Sequence, residues 1–99
     1  PDENAVQAKL FWETAQQTGQ LYFNNLPKTA PKEIFHLWFF TQEAKFIPVT
    51  SFKAINGSAT VKLKMPQEDA HVERIILSVE PPGDYPFPTG KILLRGALQ

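Results

Sequence analysis

The chain has 99 residues, 42% of them apolar, with eight Phe and two Trp. That is one domain's worth of sequence with a composition able to build a hydrophobic core, which excludes an intrinsically disordered segment. Ten basic and ten acidic side chains balance, and Lys is scattered singly, so the clustered phosphate neutralisation of a nucleic-acid binder and the electrostatics of a membrane-surface binder are both missing. The absence of Cys removes thiol catalysis, thiolate zinc sites and disulfides together.

Nine Pro and five Gly punctuate the chain at short intervals, and β-rich runs lie between them. Residues 1–7 are polar and read as a frayed stretch or stalk ahead of a folded unit spanning 8–99. The first strand-like run is 8–14, with Leu10 and Trp12 on one face and Lys9, Phe11 and Glu13 on the other. The second, 20–24, points Leu21 and Phe23 one way and Tyr22 the other. A turn-rich connection with Pro27 and Pro31 leads to the most apolar run, 33–41. Phe35, Leu37 and Phe39 share one face there, and Ile34, His36, Trp38 and Phe40 share the other. Apolar groups on both faces predict a central strand covered twice, with Trp38 anchoring the core.

The fourth run, 46–55, contains Pro48, which has no N–H to give a ladder and therefore predicts an edge or bulged strand. Asn56-Gly57 follows, a pair suited to the two positive φ angles of a type I′ turn, and predicts a hairpin to the next run, 58–65. There Ala59, Val61, Leu63 and Met65 alternate with Thr60, Lys62 and Lys64, the pattern of a strand with one wet face. Residues 66–72 are compatible with one helical turn, opened by Pro66 and carrying Glu68 and Asp69 near its positive end. A sixth run, 73–80, ends at Pro81-Pro82-Gly83-Asp84; Tyr85, Pro86, Phe87 and Pro88 form an irregular loop, and 91–96 is the last run. About seven short strands with turn signals between them predict an all-β, two-sheet antiparallel sandwich, Ig-like in architecture.

Chemical constellations are sparse. His36 and His71 show no metal-ligand spacing, and a zinc site wants three or four ligands. Ser51, Ser58 and Ser78 sit in strand or turn contexts without an activating base. Glu73 and Glu80 fall on opposite faces of a regular strand, so they do not form the carboxylate pair of a glycosidase; Glu80 and Asp84 flank a turn. Neither an enzyme nor a cofactor is expected. Trp12, Trp38 and their aromatic neighbours read as core before platform, whereas Tyr85 and Phe87, held by prolines in a loop, are candidates for touching a ligand or partner. The longest apolar stretch, 35–40, is far below the roughly 18 residues a membrane helix needs. Beginning at Pro1 and not at Met, the chain is expected to be a segment of a longer protein.

The order of motifs along the chain is distinctive. Leu26-Pro27 is followed by Phe35-His36-Leu37-Trp38, then by a turn-bearing run from Phe52 through Asn56-Gly57 to Val61. After that come Ile76-Leu77-Ser78-Val79-Glu80-Pro81 and Pro88-Thr89-Gly90-Lys91-Ile92. In this order and spacing the sequence resembles the C-terminal domain of the anti-sigma-K factor family, from about residue 19 to 96. It departs from the family pattern at Phe35-His36, where Tyr-Gln is common, and in the bulky loop 82–87, where relatives often have Gly-Gly-Ser.

The resemblance implies a bacterial, single-pass membrane anti-sigma factor whose extracytoplasmic domain is this chain. Its cytoplasmic domain, which holds the sigma factor, and its membrane helix would lie outside this sequence. It further implies regulated proteolysis as the route of signal transduction, with a protease as second partner. The motif residues Leu37, Trp38, Gly57, Glu80, Pro81, Pro88, Thr89 and Gly90 are then expected to be structural, with Glu80 accepting backbone hydrogen bonds near Thr89 and Gly90. The alternative is a carbohydrate- or peptide-binding module of another exported protein, using Tyr85 and Phe87.

Overall fold

The computed structural model describes residues 6–13, 15–64 and 72–97, and within them every regular element is a strand. In chain order these are β1 (Gln7–Glu13), β2 (Thr18–Asn24), β3 (Ile34–Thr41), β4 (Phe46–Phe52), β5 (Ala59–Lys64), β6 (Val72–Glu80) and β7 (Lys91–Ala97). They form two antiparallel sheets, ordered β1-β2-β5 and β4-β3-β6-β7. The β2–β5 and β3–β6 pairings are the non-sequential ones that make a Greek-key sandwich. In immunoglobulin lettering the order is A-B-E facing C′-C-F-G. The helical turn expected at 66–72 falls outside the described residues except for Val72, which opens β6, and so does His71. Of the stretch 1–7, the described part shows Val6 packed on the core and Gln7 opening β1.

The core lies between the sheets. Leu21 and Phe23 from β2 and Val61 and Leu63 from β5 meet Phe35, Leu37 and Phe39 from β3 and Ile75 and Leu77 from β6. Each set is spaced by two, as the pleat requires for side chains on one face. Phe52 stacks on both Phe23 and Phe35, with ring centroids 5.5 Å apart in each case, and so ties the sheets together.

Pro48 lies in β4, which is an edge strand and is also bulged. The register with β3 slips between Leu37 and Trp38, leaving Val49 as the extra residue. Asn56 and Gly57 take φ values of 54° and 78°, and Ile55 and Ser58 exchange two backbone hydrogen bonds of 2.9 and 3.1 Å across them. The expected hairpin nevertheless stops there. One bridge forms, and the chain on either side parts to different sheets. The turn is a corner of the sandwich instead of the tip of a ladder. The carbonyl of Gly57 accepts from the Leu26 N–H at 2.9 Å, so the corner is stitched to the connection leading into β3.

Trp38 is as buried as any core residue, but it does not join the core between the sheets. It points to the opposite face of the four-stranded sheet, and what covers it there makes the site described next.

Candidate functional site

Along β3 the odd-numbered side chains enter the core, so the even-numbered ones are committed to the outer face. On that face a row of rings runs along the strand. The Tyr85 ring meets His36 edge-on at 5.7 Å. His36 stacks on Trp38 at 6.1 Å. Phe46 packs edge-on against Trp38 at 6.2 Å and, tilted, against Phe40 at 4.9 Å. Tyr85 reaches its place because the loop 81–90 leaves β6 and folds back, and the Tyr85 hydroxyl donates to the Pro81 carbonyl at 2.9 Å.

The loop is held by one carboxylate. Trp38 Nε1–H donates to Ser78 Oγ at 3.0 Å, and Ser78 Oγ donates in turn to Glu80 Oε2 at 2.8 Å. The Thr89 N–H lies 3.0 Å from Oε2 and 3.2 Å from Oε1. Thr89 Oγ1 donates to Oε1 at 2.6 Å, and the Gly90 N–H donates to the same atom at 3.1 Å. Glu80 is fully buried. Burial by itself raises its pKa, but hydrogen bonds from the Thr89 and Ser78 side chains and from the Thr89 and Gly90 backbone favour the charged form, and together they hold it below the usual value. Both oxygens accept from two or more donors, so the carboxylate serves as a clamp. Gly90 must be glycine for a steric reason: a Cβ there would overlap the Val79 carbonyl oxygen.

Among the residues singled out from sequence, the structure brings Trp38, Glu80, Thr89 and Gly90 into one network, with Pro81 and Pro88 flanking the same loop. Leu37 points the other way, into the core, and Gly57 sits at the separate corner beside Leu26. Tyr85 is half-buried against His36, whereas Phe87 is 52% exposed. Ser78, read from sequence as sheet patterning, proves to be the link between Trp38 and Glu80. Its spacing of two from Glu80 was the available signal, since it puts both on one face of β6.

Between β4 and the loop lies a groove of about 340 Å³ lined by His36, Trp38, Pro48, Ser51, Asp84 and Tyr85, among others. His36 Nε2 is buried at its floor without a hydrogen-bond partner. A larger hollow of about 580 Å³ lies at the end of the three-stranded sheet around Trp12, Thr18 and Lys64; its buried lining residues, Gly19 and Leu63, are apolar. No group of three or more metal-ligating side chains occurs among the described residues. No described helix is long and apolar enough to cross a membrane.

The chain matches the family described as Anti-sigma-K factor rskA, C-terminal, over residues 1–92. That family is one of regulatory proteins and not of enzymes. No curated protein and no solved structure shows a significant match. The match spans nearly the whole sandwich, including the Trp38–Glu80–Thr89 clamp, and on that ground the chain belongs to the anti-sigma-K factor C-terminal family.

Proposed function

We infer that this domain is the extracytoplasmic regulatory part of a membrane-anchored anti-sigma factor, and that its folded state gates the proteolysis that frees a sigma factor held elsewhere in the full-length protein. The family match over residues 1–92 carries this reading. Proteolysis requires a segment to open locally, and opening is easiest where few apolar contacts are lost. The sandwich has a graded resistance of that kind. β3 is buried or half-buried at every position, whereas β1, next to the N-terminal stretch, is exposed at every position. A partner or ligand that stabilises the closed form lowers the open population by mass action.

Limited proteolysis with mass-spectrometric mapping tests the gradient. The first cuts should fall at or before residue 13; first cuts within 34–40 would sink the gating reading.

A second reading is favoured by the groove beside His36. A buried imidazole nitrogen without a partner is a costly feature unless something completes it, and Gly83, Asp84 and Tyr85 of the loop form one wall; Phe87 lies exposed further along the same loop. On this reading the domain binds a carbohydrate or peptide. Fluorescence titration with oligosaccharides and peptides, using Tyr85→Ala and Phe87→Ala, separates the two. Unchanged affinity in both variants removes the loop from consideration.

A further inference from the structure

We propose that β1 is the surface through which two copies of this domain join, strand to strand and antiparallel, about a twofold axis at Phe11. The inference stands on the chain's own edges and does not depend on the functional reading above.

An unpaired sheet edge invites another strand, and proteins usually guard against this with prolines, bulges or charges. Three of the four edges formed by the described strands are guarded. β4 has Pro48 and a bulge. β5 carries the exposed Lys62 and Lys64. β7 carries Lys91 and Arg95, and its pairing with β6 slips between Leu77 and Ser78. β1 has no proline and no bulge, and its two charges, Lys9 and Glu13, are of opposite sign, unlike the like-charged pairs on β5 and β7; it pairs with β2 in unbroken register over all seven residues. It also carries three of the six large apolar side chains exposed on the described molecule, and a fourth lies beside it on β2. Phe11 is 58% exposed, Leu10 and Trp12 are 38% exposed, and the neighbouring Tyr22 is 37% exposed.

Leu10 and Trp12 pair with Leu21 and Gly19, whose sides face the core. They therefore belong to the inner face, yet each stays partly uncovered and outside the core cluster. Trp12 lies close over Gly19, where a Cβ would come within 2.5 Å of its ring. On the outer face Phe11 and Tyr22 meet edge-on at 5.4 Å. Apolar area left open on both faces of one edge strand is the mark of an interface.

The sequence of β1 then selects the partner. A twofold axis perpendicular to the sheet keeps inner-face residues opposite inner-face residues, so only registers centred on a residue are allowed. Centring on Leu10 sets Lys9 against Phe11 of the second copy; centring on Trp12 sets Glu13 against Phe11. Centring on Phe11 sets Lys9 against Glu13 twice, Leu10 against Trp12 twice, and Phe11 against itself. That register alone matches charge with opposite charge on the wet face and large apolar groups with each other on the inner face. The product is a six-stranded sheet, β5-β2-β1 continued by its symmetry mate, with the two Phe11–Tyr22 pairs side by side.

Sedimentation equilibrium of the chain from about 10 μM to 1 mM, the range of weak self-association, should show a monomer–dimer equilibrium, and Phe11→Glu should abolish it. Lys9→Glu and Glu13→Lys should each weaken dimerisation about tenfold or more, because each places like charges opposite at two symmetric positions. The combined variant should return to within about threefold of the original. All these side chains are exposed, so circular dichroism should show each variant folded. A monomer at every concentration overturns the proposal, as does capture of a strand from a different protein with no self-association. A dimer indifferent to both single swaps, or not restored by the double swap, places the contact elsewhere and overturns it as well.

Discussion

The two faces of the four-stranded sheet are held in opposite ways. The inner face rests on many interchangeable apolar contacts: Phe35, Leu37, Phe39, Ile75 and Leu77 against the β2 and β5 side chains. On the outer face, beside the row of rings, the loop is held by one carboxylate, Glu80, through which the donors of Ser78, Thr89 and Gly90 and, by way of Ser78, Trp38 are satisfied. A dispersed apolar contact set loses stability by the volume removed. A clamp with a single acceptor loses it by leaving several buried donors unpaired, and loses it near the loop first.

The largest effect should come from the inner face. Phe35→Ala is expected to cost about 3–5 kcal/mol and to lower the whole denaturation curve, since Phe35 also supports Phe52. Next comes Glu80→Ala, at about 2–4 kcal/mol, with a different signature. Hydrogen exchange should accelerate first at the Thr89 and Gly90 amides and only later in β3. If exchange rises evenly across the sheet, the outer face is not a separately held layer.

Acid should then imitate that substitution. The folded chain holds the Glu80 proton more weakly than the unfolded chain, whose value is near the ordinary 4.5. Between the two pKa values the unfolded chain binds more protons, so stability rises with pH there. The contribution is therefore complete above the ordinary range, declines as pH falls below about 4.5, and is gone once pH has passed the folded value. The stability gap between the parent chain and Glu80→Gln should narrow over that window; a gap that stays constant or widens on acidification would contradict the clamp. The smallest effect is expected away from both faces. Gly57→Ala strains the corner at its φ of 78° and should cost about 1 kcal/mol, measured by urea denaturation, without altering exchange at Thr89.

Much of the architecture was legible because it is local. Alternation along 59–64 showed which side of β5 is wet, Pro48 marked an edge, and apolar groups on both faces of 34–40 marked a central strand. The clamp was partly legible, since Glu80, Thr89 and Gly90 sit in turn contexts where backbone donors need an acceptor. The spacing of two put Ser78 beside Glu80, but its link to Trp38 was not legible, because Trp38 lies forty residues earlier in the chain and only the β3–β6 register brings them together. His36 shows the same limit: a histidine between apolar neighbours gives no hint that its Nε2 is left without a partner in a groove walled by a distant loop.

The amino-acid order alone settled strand, turn and face, since these follow from a period of two and from the φ preferences of Pro, Gly and Asn. Folding in three dimensions decided which strands became neighbours. It sent the chain on either side of Asn56-Gly57 into separate sheets, turned Trp38 away from the main core, and left Leu10 and Trp12 of β1 partly uncovered. Sheet membership is a competition among long-range pairings whose loop-closure and burial terms depend on the whole chain, and no window of neighbouring residues contains it.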